Sequence, residues 1–272
     1  MSTQELSAIY RYPLKSARGH ALDACAMDRF GLVGDRRWML VDDGGRFVSQ
    51  RRLPAMACLA VAALDRGLRL TMGGDTIDVE EPSPRGECVI STVWEDTVVA
   101  PVAAPSVSDW LSERFGESLR LVHFPPTALR GVEPGYAPSS QLVAFSDGYP
   151  LLILTEASLD ELNRRLPEPV PMDRFRPNLV IRGADAHAED SWRRIRIGAA
   201  EVSLVKPCSR CAIPGIDQQT GERDPHINRV LATYRRCEGV IYFGMNAVAA
   251  SGTQFHVGDR VEILDAGDAQ RW

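Results

Sequence analysis

From residue 5 to about residue 104 the chain is cut every few residues by Gly, Asp or Pro, and the runs between are short and lack helical period. Such a segment has no room for long helices, while each break supplies a turn for short strands. Candidate strands fall at 37–42 and 46–50 around Asp43-Gly44-Gly45, a hairpin turn signal. Others fall at 68–72, 76–79, 87–91 and 97–101. Strands at this spacing imply a barrel or a folded sheet.

Helical period first appears at 106–116, where Val107, Trp110, Leu111 and Phe115 share a face between a Ser106 cap and a Gly116 stop. A strand is expected at 120–124. Residues 125–140 then hold Pro125, Pro126, Pro134 and Pro138 among glycines, a long irregular connection of the kind that covers functional sites. The apolar run 151–154 reads as a strand, and 155–166 as a helix with Leu159, Leu162 and Leu166 on one face and Ser158/Glu161 at capping-box spacing. That strand-to-helix junction is expected to offer free backbone N–H groups. Further strands are expected at 179–181, 194–197, 201–205, 240–246 and 260–264. Between those at 201–205 and 240–246, Asp224-Pro225 opens a helix with Ile227, Val230, Leu231 and Tyr234 on its apolar face. The expected fold is mainly β with some α, divided into a β-barrel-like domain at 1–118 and a second β-barrel domain with peripheral helices at 119–272.

The formal charge of −5 argues against sequence-independent binding along nucleic acid, so any anion site must be local. No apolar run reaches the ~18 residues of a membrane span, and the first ten residues lack the pattern of a leader, which points to a cytoplasmic protein. Six cysteines spread over 272 residues without an export signal are expected to be reduced thiols. Neither a Walker loop nor a dinucleotide fingerprint occurs.

Chemistry concentrates at Lys206-Pro207-Cys208-Ser209-Arg210-Cys211-Ala212-Ile213-Pro214-Gly215. A thioredoxin-like pair needs a helix after it, and Pro214-Gly215 cuts one short. Structural zinc needs two more ligands, and the spacing to His226 and Cys237 fits no finger or ribbon. As core thiols the pair is poorly served by Ser209, Arg210 and Pro207. The favoured reading is a thiolate that ligates a soft metal beside an arginine that neutralises an anionic cofactor. From the residues alone, Cys208 and Cys211 are equal candidates. Basic groups at turns elsewhere, Lys15-Ser16, Arg36-Arg37 and Arg51-Arg52, are each more often solvated surface than site, while Arg176 and Asn178 are presented at the mouth of the strand at 179–181.

Several separated stretches, taken in order, resemble the molybdenum cofactor sulfurase C-terminal (MOSC) proteins. The chain is most similar to the branch that carries an N-terminal β-barrel domain and includes the amidoxime-reducing components. The stretches are Tyr12-Pro-Leu-Lys-Ser16, Gly34-Asp-Arg-Arg-Trp38, 151–159, Phe175-Arg-Pro-Asn178, Glu189-Asp-Ser-Trp192 and Cys208-Ser-Arg-Cys211 with Asp217 and Thr220-Gly221. The resemblance implies a molybdenum cofactor, a molybdopterin whose metal takes Cys211 as a protein ligand, making Cys211 the catalytic and metal-binding residue. It implies further that Lys15, Ser16, Arg36, Arg176, Asn178, Ser209 and Arg210 hold the pterin and its phosphate, and that Asp147, Gly148 and Tyr149 form a turn near the metal. The implied activity is reduction of N-hydroxylated compounds such as amidoximes, hydroxylamines and N-hydroxylated base analogues. The alternative is a non-enzymatic cofactor carrier or sulfur-transfer domain. No four-cysteine cluster framework is present, so a separate ferredoxin-, flavoprotein- or cytochrome-type protein is expected to bring electrons.

Overall fold

The computed structural model describes residues 3–138 and 140–269. Its largest sheet is organised around the apolar run at 151–154. This run becomes the strand Leu151–Thr155, and all five of its residues are buried. A strand covered on both faces belongs in the middle of a sheet. It pairs parallel with Leu179–Arg182 and antiparallel with Val240–Ala249. Ala200–Ser209, Trp192–Ile197 and Val261–Ala266 continue the sheet on one side, Glu5–Arg11 and His20–Leu22 on the other. Backbone hydrogen bonds of 2.8 Å from Val261 N to Gln4 O and from Leu6 N to Asp259 O join the two ends and close the barrel. Leu6, Ile9, Ile153, Leu179, Ile195 and Met245 are among the fully buried side chains inside, each contributing ~1.5–3 kcal/mol.

The first half forms smaller sheets around a second core that includes Leu14, Leu40, Met56, Leu70 and Leu111. Ala60–Leu64, Gly67–Met72 and Asp75–Glu80 make an antiparallel meander, and Cys88–Val93 and Asp96–Pro101 a hairpin. The expected hairpin at 37–50 keeps its turn, yet its second arm makes only single bridges, Phe47 to Val41 and Arg46 to Thr92. Among the described residues strand pairing crosses the 118/119 division three times, one of them between Gln254–His256 and Ala24–Asp28. Ile9 stands opposite Leu179, and Arg120–His123 pairs with Trp38–Val41.

Among the described residues three α-helices pack outside. α1, Pro105–Phe115, begins on a proline with Ala104 as cap, so Ser106 lies within its first turn instead of capping it. In α2, Glu156–Asn163, the cap is Thr155, whose hydroxyl accepts from Ser158 N, and the Ser158/Glu161 box does not form. Its N-terminus is closed to ligands. The buried Glu189 carboxylate sits there, accepting from the Thr155 hydroxyl at 3.0 Å and the Ser158 hydroxyl at 2.7 Å. α3, His226–Tyr234, starts after Pro225, with Asp224 Oδ1 accepting from His226 N at 2.8 Å. No helix among the described residues is long and apolar enough to cross a membrane.

Candidate functional site

Ala200–Ser209 runs past its expected end, and two register shifts against Val240–Ala249, at Leu204/Lys206 and at Pro207/Ser209, bend it. Bulges re-aim the side chains that follow them. Gly244 on the partner strand permits the bend: it holds φ 80°, and a Cβ there would lie 2.8 Å from Ile153 O. Beyond Ser209 the chain turns through Cys211 into the single turn Ile213–Gly215, as the proline predicts. Cys208 emerges half-buried and Cys211 exposed, and no disulfide joins the six cysteines.

Both thiols line one cleft. All eleven residues that the resemblance implies for the site, Cys211 among them, line it. Lys15 and Ser16 come from the turn after the first strand, and Arg36 from the turn before Trp38–Val41. Asp147, Gly148 and Tyr149 end the long connection, while Arg176 and Asn178 precede Leu179–Arg182. Arg37 does not join them; it pairs with Asp28 at 2.5 Å. Arg52 turns to Asp42 and Glu117, whereas Arg51 lines the cleft. Arg174 and Asn246 also line it, and neither had been picked out from the sequence.

These side chains are held rather than loose. Tyr12, buried and donating to Pro177 O at 3.0 Å, carries Arg36 on its ring at 4.4 Å and Arg176 at 4.3 Å. Asp35 accepts from Tyr12 N at 2.8 Å and from Arg36 Nη1 at 2.6 Å. Asn178 Oδ1 accepts from Arg36 at 3.0 Å. Lys15 donates to Phe145 O at 2.7 Å and pairs with Asp147. Arg210 donates to Phe243 O at 2.7 Å and Phe175 O at 2.9 Å, and Arg174 to Asp217 at 2.7 Å. Ser16, Arg36 and Arg176 all adopt positive φ, at 66°, 46° and 55°. Each such residue costs ~1–3 kcal/mol and persists only where its surroundings force it.

Six cations, Lys15, Arg36, Arg51, Arg174, Arg176 and Arg210, face one carboxylate, Asp147, in a chain of net charge −5. Burial pushes the Lys15 ammonium down, and it pushes the Arg176 guanidinium down to about 10. Against burial, Lys15 and then the Trp94 indole hold Asp147 well below the usual carboxylate range. Burial pushes the Cys208 thiol up. Four guanidinium nitrogens, Arg174 Nε and Nη1, Arg176 Nη2 and Arg210 Nη2, are buried without a hydrogen-bond partner. Each unmet donor costs ~1–3 kcal/mol. An anion with several acceptor oxygens, withdrawn from water, fits such a donor set. Among the described residues no cluster of three or more His, Cys, Asp or Glu could hold a metal by itself, so a structural zinc at the cysteine pair has no ligand set.

A second chamber opens outward and shares Arg51, Asp147, Tyr149, Cys208, Cys211 and Asn246 with the cleft. Trp94 stands in its wall, donating from its indole to Asp147 at 3.1 Å. The cysteine pair thus lies where a deep cationic cleft meets an open mouth.

The MOSC domain family matches residues 140–262, and the MOSC N-terminal beta barrel domain family matches residues 3–118. Mitochondrial amidoxime-reducing component 1 of Mus musculus is 31% identical, covering 95% of this chain and 82% of its own length. The Homo sapiens protein of the same name is 29% identical over the same shares. Molybdenum cofactor sulfurase of Homo sapiens is 32% identical over 89% of this chain, which spans 30% of that protein.

Proposed function

The chain belongs to the MOSC family, in its branch with an N-terminal β-barrel domain, and from that premise we propose that it is a molybdenum-cofactor-dependent oxidoreductase that reduces N-hydroxylated compounds. The observation that carries this reading is the pairing of unmet buried guanidinium donors with an exposed cysteine in one cleft. Those donors fit the phosphate of a molybdopterin, and the thiol fits its metal. Lys15, Ser16, Arg36, Arg176, Asn178, Ser209 and Arg210 would hold the pterin and its phosphate, and Cys211 would ligate the metal. When bound, the cofactor supplies two-electron reduction of an N–OH group, which with two protons gives N–H and water.

The chain's own residues do the rest. Arg36 and Arg176, fixed on Tyr12, present charge that needs no reorganisation when the anion arrives. Asn228 steadies the Cys211 carbonyl at 2.9 Å, leaving the thiol at the junction of cleft and mouth. Asp147 and Lys15 pair beside the same junction, where the incoming protons are needed. Electrons would come from a separate ferredoxin-, flavoprotein- or cytochrome-type protein.

Protein made in a host that synthesises the cofactor should contain molybdenum, release a fluorescent oxidised pterin, and reduce benzamidoxime with reduced methyl viologen. Cys211→Ser should abolish turnover and metal retention, with Cys208→Ser milder; the opposite order overturns the ligand choice. The resemblance to a cofactor sulfurase supports a second reading, a cofactor carrier or sulfur-transfer domain. Cofactor-loaded protein inert toward several N-hydroxylated substrates would favour it.

A further inference from the structure

Trp94 is placed where a tryptophan is costly. The strands Cys88–Val93 and Asp96–Pro101 pair with Asp96 opposite Val93, so Trp94 and Glu95 form a two-residue turn. Trp94 takes positive φ at 56°, in the first turn position, which glycine fills by preference. For a bulky residue that conformation is a genuine outlier, and its cost is tolerated only where neighbours hold it. Three neighbours do so. The indole N–H donates to Asp147 at 3.1 Å, the Arg51 guanidinium lies over the ring at 4.5 Å, and the Phe47 ring centre is 5.3 Å away. Arg130 ties the same hairpin to the site turn, pairing with Asp96 at 2.7 Å and donating to Ser146 O at 2.6 Å and Asp147 O at 3.0 Å.

Despite these contacts Trp94 remains 45% exposed, with the ring in the wall of the mouth that also holds Cys211. Val132, Pro134, Pro207 and Val240 supply apolar surface to the same chamber. A π-face held in the wall of such a chamber favours flat ligands, because stacking needs planarity and tolerates differences in ring identity.

We propose that Trp94 is the specificity-determining residue of this site, a stacking platform that favours planar N-hydroxylated substrates, aryl amidoximes and N-hydroxylated bases, over small non-planar ones. The proposal rests on the reductase reading. The test compares cofactor-loaded wild type, Trp94→Ala and Trp94→Phe with benzamidoxime and hydroxylamine, reduced methyl viologen supplying electrons. In Trp94→Ala the ratio of kcat/KM for benzamidoxime to that for hydroxylamine should fall about tenfold, ~1.4 kcal/mol. In Trp94→Phe, which keeps a ring but loses the indole N–H, the ratio should stay within about twofold of wild type. An unchanged ratio in Trp94→Ala overturns the proposal. So does an equal fall in both variants, which would assign the effect to the hydrogen bond on Asp147. A binding readout separates the proposal from the activity: titrating oxidised, loaded protein with benzamidoxime should quench tryptophan fluorescence saturably, and Trp94→Phe should remove that quench while retaining affinity by calorimetry. Wild type that turns over neither substrate yet shows the quench would sink the reductase reading and leave the platform standing; absence of the quench would sink the platform.

Discussion

Replacing Arg176 by Met tests whether the cleft's cations serve the fold or a ligand. Burial holds the Arg176 guanidinium down at about 10, a shift on the order of 3 kcal/mol at ~1.4 kcal/mol per tenfold. The folded state binds this proton more weakly than the unfolded chain does. Below pH 10 both states are protonated and the cost stands in full; it is relieved only as pH rises through about 10 toward the ordinary arginine value. At neutral pH the empty protein therefore carries it. Met removes that cost but leaves Ala17 O without its 2.7 Å donor, a loss of ~1–3 kcal/mol. It also deletes the 4.3 Å stack on Tyr12, worth ~0.5–2 kcal/mol. These terms nearly cancel. At ~2–4 °C per kcal/mol the melting temperature of cofactor-free Arg176→Met should stay within about 5 °C of wild type. By scanning calorimetry, millimolar inorganic phosphate should raise the melting temperature of cofactor-free wild type more than that of the variant. Loaded variant should lose its pterin on gel filtration. A fall of more than about 10 °C in the cofactor-free variant, or equal protection of both proteins by phosphate, would show that Arg176 is a structural support and refute the reasoning.

Burial, against the Ser158 and Thr155 hydroxyls, raises the Glu189 carboxyl above its ordinary value. An acid shifted upward by folding contributes most below its unfolded value and loses that contribution as pH rises through the folded one. Denaturant midpoints of Glu189→Gln relative to wild type should therefore improve from pH 4 to pH 8; a flat difference would mean that the carboxylate is fully compensated. Gly45 holds φ 75°, and a Cβ there would lie 2.1 Å from Ile90 O on the hairpin that carries Trp94. Gly45→Ala should cost at least ~1–3 kcal/mol from backbone strain alone by urea unfolding, and should lower the benzamidoxime preference by shifting that hairpin.

Strand positions were legible because nearly every break is a Gly, Pro or Asp, whose effect on the backbone is local. Residues lining the cleft were singled out through the family resemblance: Lys15-Ser16, taken alone, reads as solvated surface, and Cys208-Ser209-Arg210-Cys211 marks a chemical loop without choosing between its thiols. Arg174 was not, because its partner Asp217 lies 43 residues away and nothing nearby separates it from a surface arginine. Trp94-Glu95 was not legible either: the strands expected at 87–91 and 97–101 leave a five-residue gap in which no Gly or Asn marks the turn. Glu189-Asp190-Ser191-Trp192 shows the converse, a family stretch that serves packing. Glu189 closes the start of α2, Asp190 pairs with Arg235 at 2.6 Å and Trp192 enters the barrel core.

What ties the site together is long-range strand register. Ser16 follows the first strand, and Arg36 is held by its N–H on Tyr12 O at 2.7 Å, just past that strand's end. Arg176 precedes the strand that the first one pairs with, with Ile9 opposite Leu179. All three, each with positive φ, thus sit near the ends of one strand pair, which the hydrogen bonds at Gln4, Leu6, Asp259 and Val261 close into the barrel. A slip of one residue would turn Ile9 from core to solvent, so the register is strongly specified by burial. The cations can then be held close together with only Asp35, Asp147 and Asp217 paired to them, because the register of the barrel fixes the turns that carry them.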